Sequence, residues 1–212
     1  MLYRLLHIFF SIYLRWGHRL IIKGAEQIPA SGPAILCANH TSYFDSMLVG
    51  LCTRRRVRFI IDVRFARNPL LGFFIRHGGA IPVNLTGKDK EGMKEALDTL
   101  AGGGIVALFP EGRLSRTGLL SRPKPGAAYL SMVSGAPLIP ISIDGAFHVY
   151  RRGWKIPRPG KITIRVHSPI HPDPTHRNSR HYRQQLTDLL MDRIRHGLKI
   201  LRKTKSRQPT QR

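Results

Sequence analysis

Short apolar runs recur along the chain at residues 34–38, 57–61, 78–83, 105–109, 137–143 and 162–166. They are bounded by Gly, Pro and polar residues, and most carry β-branched or aromatic side chains, which predicts strands. Between them lie stretches of helical spacing. Residues 46–51 and 127–133 form short ones. Residues 88–100 carry Met93, Ala96, Leu97 and Leu100 on one face, and residues 179–201 line up Tyr182, Leu186, Leu189, Leu190, Ile194, Leu198 and Leu201 opposite a face rich in Arg and His. Glycines at 102–104 and at Gly135 end two of these helices. Residues 24–33 and 110–125 read as loops, and residues 69–75 are a further apolar and aromatic stretch. Interleaved strands and helices define an α/β class: one domain, spanning residues 23–201, built on a mixed sheet flanked by helices.

Residues 1–22 follow a different pattern. Arg4, His7, Ser11, Arg15 and His18 recur at steps of three and four, forming one polar stripe on a helix otherwise covered by Leu, Ile, Phe, Tyr and Trp. The uncharged run at residues 5–14 is too short to cross a bilayer. Charges interrupt the apolar region and no small-residue cleavage site follows, which argues against a signal peptide. A basic stripe beside a wide apolar arc is the pattern of a helix lying in a membrane interface. A helix packed on the protein body is the competing reading, and the width of the arc favours the interface.

Charge extends this picture. Among 212 residues, 35 Lys and Arg face 12 Asp and Glu, a formal net charge of +23. That excess predicts an anionic partner: nucleic acid, an anionic lipid surface or an acidic carrier protein. Residues 202–212 read as a basic, disordered tail. The two cysteines, Cys37 and Cys52, sit in apolar surroundings with neither disulfide nor metal-ligand spacing. No zinc-ligand, Walker or dinucleotide-binding pattern occurs, so no metal or bound cofactor is expected.

The candidate chemistry lies in two loops. His40 follows the strand at residues 34–38, and Asp45 comes five residues later. A carboxylate at that spacing can accept the Nδ1 proton of the imidazole, fixing the tautomer and leaving Nε2 to take a proton from a hydroxyl. This is the base and orienter of a triad, with the nucleophilic hydroxyl brought by the substrate. The spacing alone has little specificity. The second loop, Phe109-Pro110-Glu111-Gly112-Arg113, follows the strand at residues 105–109, where α/β sheets place ligands. Arg113 and Arg116 present forked donors suited to phosphate. A local ion pair between Glu111 and Arg113 is the alternative at this turn.

Taken together, these residues resemble the glycerolipid acyltransferases typified by lysophosphatidate acyltransferase. Asn39-His40 to Asp45 is similar to the first block of that family and Phe109-Pro110-Glu111-Gly112 to its third, about seventy residues apart as in the family. Gly79-Ala80-Ile81-Pro82-Val83-Asn84 and Ala136-Pro137-Leu138-Ile139-Pro140-Ile141 are similar to its second and fourth. The resemblance covers roughly residues 23–168. It implies that His40, oriented by Asp45, deprotonates an acceptor hydroxyl as it attacks an acyl thioester, either acyl-CoA or acyl carrier protein. Glu111, Gly112 and Arg113 then belong to the acceptor phosphate site, with Glu111 orienting the loop rather than touching phosphate. Lys124 is a further candidate contact, with a solvated surface lysine as its alternative.

Two positions depart from the family pattern. Its second block commonly ends in Arg, where this chain has Leu85, and its third commonly continues Thr-Arg, where this chain has Arg113-Leu114. The phosphate grip would then come from Arg113, Arg116, Lys88 or Lys124. The residues after Arg113 are closer to enzymes that reacylate lysophosphatidylethanolamine. Lysophosphatidate, giving phosphatidate, is the expected acceptor because it is the family's commonest, and another lysolipid is the alternative. The expected location is the cytoplasmic face of the inner or cell membrane. A basic nucleic-acid-binding protein is the rival class; it accounts for the charge but not for the two loops, and the basic residues lack an interleaved aromatic platform. His77, His148, His167 and His171 have no comparable companions and read as structural or solvated.

Overall fold

The computed structural model describes residues 2–66, 79–84 and 89–206. In chain order the elements are α1 (Leu2–Gly17), β1 (Ile21–Lys23), β2 (Ala34–Ala38), α2 (Asp45–Gly50), β3 (Val57–Asp62), α3 (Val63–Ala66), β4 (Ile81–Val83), α4 (Lys90–Ala101), β5 (Ile105–Leu108), α5 (Gly126–Ser134), β6 (Leu138–Asp144), α6 (Ala146–Val149), β7 (Thr163–Val166) and α7 (Arg180–Ser206). The strands form one sheet in the order β1-β7-β6-β2-β5-β3-β4. Among the described strands, β6 and β7 pair antiparallel and the remaining neighbours are parallel. This is the mixed sheet that the interleaved pattern predicts.

Both faces of the sheet are covered, and the central neighbours β2 and β5 are apolar throughout. In β2 the side chains alternate between two cores. Ala34, Leu36 and Ala38 join Leu14 of α1 and Leu48 and Val49 of α2 on one face. Ile35 and Cys37 join Ala96 and Leu100 of α4, Leu130 of α5 and Leu190 and Ile194 of α7 on the other. Cys37 and Cys52 are free and buried, and burial pushes both thiols up, that of Cys52 to about 12.

Local chemistry sets the element ends. The Asp89 carboxylate accepts from the Gly92 amide at the start of α4, an N-cap that the hydropathy pattern does not mark. Gly135, at φ 74°, closes α5 in the left-handed conformation. Part of the positive charge is spent inside the molecule. Arg55, in the middle of the 54–56 basic cluster, donates to the carbonyls of Pro29, Gly32 and Gly103, tying together the loops that enter β2 and β5.

Three expectations change. The first helix ends at Gly17 instead of continuing to residue 22, and residues 21–23 form β1, an edge strand paired with β7. His18 therefore leaves the polar stripe; it is 4% exposed, against the Tyr13 and Phe44 rings. The final helix continues past 201 to Ser206 where a disordered tail is expected. Arg202 pairs with Asp144 of β6, which ties this end of the helix to the body, and within the helix Thr204 Oγ1 donates to the Ile200 carbonyl. The apolar stretch at 69–75, His77, Leu85, Lys88 and residues 207–212 lie outside the described residues.

Helix α7 approaches the sheet closely at Gly197. A Cβ there would lie 2.3 Å from both His167 Nε2 and Ser142 Oγ. Ser142 Oγ donates to the Ile194 carbonyl and meets His167 Nε2 at 2.9 Å, so the imidazole is structural. Burial, with Arg165, Arg193 and His196 nearby, lowers the His167 pKa to about 4. Gly197→Ala should therefore lower stability by about 1–3 kcal/mol through overpacking, although alanine is the better helix former. Urea denaturation checks this, and an unchanged or higher midpoint would refute the close packing.

Candidate active site

Strands β2 and β5 are neighbours, but their connections leave on opposite sides of the sheet. β2 leads into α2 on one face, whereas β5 leads into α5 on the other. The loops after the two strands therefore diverge at their C-terminal ends, the topological switch point where such sheets bind ligands. Both candidate loops begin there.

The first loop is wound around one carboxylate. Asp45 is fully buried. Its Oδ2 accepts from the backbone amides of Thr41 and Ser42 at 2.5 and 2.7 Å, and meets His40 Nδ1 at 3.0 Å. The expected contact between His40 and Asp45 is therefore formed. An acceptor at Nδ1 places the ring proton there and leaves Nε2 as the basic nitrogen. The His40 side chain is 21% exposed, so the ring reaches the surface while its orienter does not. Phe109 stacks on the imidazole, with centroids 3.9 Å apart and planes inclined by 9°.

The second loop is braced against the first. Glu111, 3% exposed, accepts the His40 backbone amide through Oε1 and the Ser121 amide and hydroxyl through Oε2. The Ser115 amide donates to the His40 carbonyl at 2.8 Å. Glu111 is thus a loop orienter fully engaged with protein donors, and it makes no ion pair with Arg113. Gly112 adopts φ 64°, and the stem of Lys124 packs where a Cβ would stand, 3.1 Å away at Cε. Lys124, Arg113 and Arg116 all have exposed side chains around this turn. At the end of β3, Arg64 grips the buried Asp62 with two prongs. Those hydrogen bonds hold the Asp62 carboxyl below the usual carboxylate range against the opposing effect of burial.

Some of the machinery escapes a sequence reading. Asn39 bridges β2 to β6, donating to the Ile143 carbonyl and accepting its amide. The Tyr150 carbonyl accepts the Tyr43 amide and the Ser42 hydroxyl, fixing the outer side of the His40 loop. These partners lie more than a hundred residues away, and no local periodicity signals them. An open cavity of about 520 Å³ adjoins the loop, lined in part by Asn39, Thr41, Leu119 and Phe147. His148 and His171 are exposed; His148 lines this cavity, whereas His171 is not among its lining residues. Among the described residues, no group of His, Cys, Asp and Glu could hold a metal ion.

The His40–Asp45 pair thus stands at the switch point of a mixed α/β sheet, on a loop braced by Glu111. The chain belongs to the Acyltransferase family, whose sequence model matches residues 19–144. It is 27% identical over 165 residues to a chloroplastic 1-acyl-sn-glycerol-3-phosphate acyltransferase of Arabidopsis thaliana, covering 76% of this chain and 46% of the plant protein. It is 26% identical over 189 residues to 1-acyl-sn-glycerol-3-phosphate acyltransferase alpha of Bos taurus, covering 86% of this chain and 62% of the bovine protein. The chain thus spans about half to three-fifths of the length of these relatives. The crystal structure of the 1-acyl-sn-glycerophosphate acyltransferase PlsC from Thermotoga maritima shares the fold, with a TM-score of 0.79 at 24% identity, covering 94% of this chain and 79% of that one.

The brace through Glu111 carries a testable cost. Glu111→Ala strands three donors, two of them backbone amides, and should destabilise the fold by about 1–3 kcal/mol for each donor left buried and unpaired. A denaturation midpoint equal to that of the native chain would show that the brace contributes nothing.

Proposed function

We propose that this protein acylates the free hydroxyl of a lysophospholipid, 1-acyl-glycerol-3-phosphate in the first instance, using an acyl thioester as donor and giving phosphatidate. The observation that carries the reading is the pairing of His40 Nδ1 with the buried Asp45 carboxylate, on a ring held by Phe109. Nε2 takes the proton of the acceptor hydroxyl as its oxygen attacks the thioester carbonyl. Collapse of the tetrahedral adduct breaks the C–S bond, and the imidazolium returns its proton to the departing thiolate. Asp45, hydrogen-bonded to Nδ1, stabilises the transient positive charge. Neither cysteine competes as a nucleophile, since both are buried and burial disfavours their thiolates. Arg113 and Arg116, with Lys124 beside Gly112, form the cationic rim that would receive the acceptor phosphate. The reaction as written requires no cofactor beyond the donor, which is acyl-CoA or acyl carrier protein.

The acyl chains of both substrates call for a lipid surface. Along α1, Ile8, Ile12, Tyr13 and Trp16 are exposed, Trp16 by 87%, while Leu14 anchors the helix in the core. No described helix is long and apolar enough to cross a membrane. On this reading the exposed apolar side chains of α1 lie in the interface, on the cytoplasmic face of the inner or cell membrane, and the net charge of +23 favours anionic lipid.

Purified protein should acylate lysophosphatidate, and His40→Ala should lower turnover by about 100- to 10,000-fold. Substantial turnover surviving in that variant would overturn the general-base role. Asp45→Asn should cost a comparable factor, because an amide cannot hold the proton on Nδ1 in the same way. A panel of lysolipid acceptors with each donor decides the head group, and preferential turnover of lysophosphatidylethanolamine would replace the acceptor named here. For the membrane contact, Ile12→Ser combined with Trp16→Ser should move the protein from the pelleted membranes to the supernatant on ultracentrifugation. Unchanged sedimentation would count against α1 as the contact.

A further inference from the structure

The family match ends at residue 144, and the chain then enters a segment of unusual charge. No Asp or Glu occurs between Asp144 and Asp173, whereas Arg151, Arg152, Lys155 and Arg158 fall within one short loop after α6, and all four are exposed. The loop is held in shape. The Arg158 amide donates to the Val149 carbonyl at 2.8 Å, closing its base, and the Trp154 amide donates to the Arg151 carbonyl. Two guanidinium groups lie over the Trp154 ring, Arg158 at 4.0 Å and Arg151 at 4.7 Å, and Arg151 also lies 5.3 Å from the Phe147 ring. Such cation–π contacts order the indole without removing the charges. Next to it, Ile156 is 77% exposed.

This loop is continuous with both the His40 loop and α1. Its first residue, Tyr150, takes hydrogen bonds from Tyr43 and Ser42 through its carbonyl. Its ring contacts Tyr43 at 5.3 Å and Phe44 at 5.0 Å, and Phe44 in turn contacts Tyr13 of α1 at 6.2 Å. Aromatic contacts therefore run from the exposed face of α1, past the catalytic loop, to the base of the cationic loop.

We propose that residues 150–161 form a second membrane-contacting element, which docks on an anionic lipid surface and, together with α1, presents the His40 loop to the bilayer. The chemistry matches a lipid interface: a tryptophan and an isoleucine for the headgroup–acyl boundary, ringed by cations for lipid phosphates. An acidic carrier protein would satisfy the cations but leaves the exposed isoleucine without a role. The inference rests on the membrane association proposed for α1, and two contacts flanking the catalytic loop would fix its orientation where one would leave the protein free to roll.

The chain has two tryptophans, Trp16 on α1 and Trp154 on the loop, so each can serve as the sole reporter. The full chain carrying Trp16→Phe is mixed with vesicles of phosphatidylcholine and phosphatidylglycerol containing brominated lipid, and the chain carrying Trp154→Phe is treated in parallel. Quenching of both reporters is the expected result. With both tryptophans native, Arg152→Gln combined with Lys155→Gln should weaken binding to these vesicles by about 25-fold, from roughly fivefold per charge removed, with less effect on pure phosphatidylcholine. Quenching of Trp16 but not Trp154 would overturn the second contact and leave the α1 reading standing. Quenching of neither would remove both. A Trp154 response to acidic acyl carrier protein in place of vesicles would assign the loop to the donor instead, and overturn this proposal.

Discussion

One buried carboxylate holds the site together. Glu111 accepts the His40 amide from the loop after β2 and the Ser121 amide and hydroxyl from the loop after β5. Those loops diverge at the switch point of the sheet, and without a link between them their relative position would be set only by the strands beneath. The Ser115 amide, donating to the His40 carbonyl, closes the same gap from the other side. The backbone of His40 is thus fixed at both its amide and its carbonyl before its side chain makes any contact.

The ring then inherits this order. Asp45 is held by two backbone amides and holds Nδ1 in turn, while Phe109 covers one face of the imidazole. The carboxylate is buried and the ring is partly exposed, so a substrate can reach the imidazole edge without displacing its orienter. Preorganisation of this kind is what a general base requires, since a misplaced proton acceptor loses most of its advantage. The same loop is tied outward to Tyr150, which links the proposed chemistry to the two surfaces proposed to meet lipid.

The reactive loops were legible in the sequence to different degrees. His40, Asp45 and Glu111 were recognisable because short, ordered motifs follow predicted strands, and the Nδ1–carboxylate contact follows from a tight turn of fixed length. The long-range partners were not legible: Asn39 to Ile143, Ser42 to Tyr150, and Glu111 to His40 join segments whose spacing carries no periodicity. The roles of individual arginines also escaped a reading by charge. Arg55 binds three carbonyls and Arg64 clasps Asp62, yet in sequence they look the same as the exposed Arg113.

The sequence by itself determined six of the seven strands, most of the helices, the α/β class and the His–Asp turn, because hydrophobic period and local turn chemistry act over a few residues. It overextended the first helix, since Ile21 and Ile22 continue its apolar run, and only pairing with β7 turns them into an edge strand. It ended the last helix too early, because the Asp144 carboxylate that pairs with Arg202 comes from elsewhere in the fold. The tertiary structure alone decided the strand order, the brace through Glu111 and the joining of α1, the His40 loop and the cationic loop. Each depends on which distant segments share one sheet edge, and that is settled by packing both faces of the sheet at once.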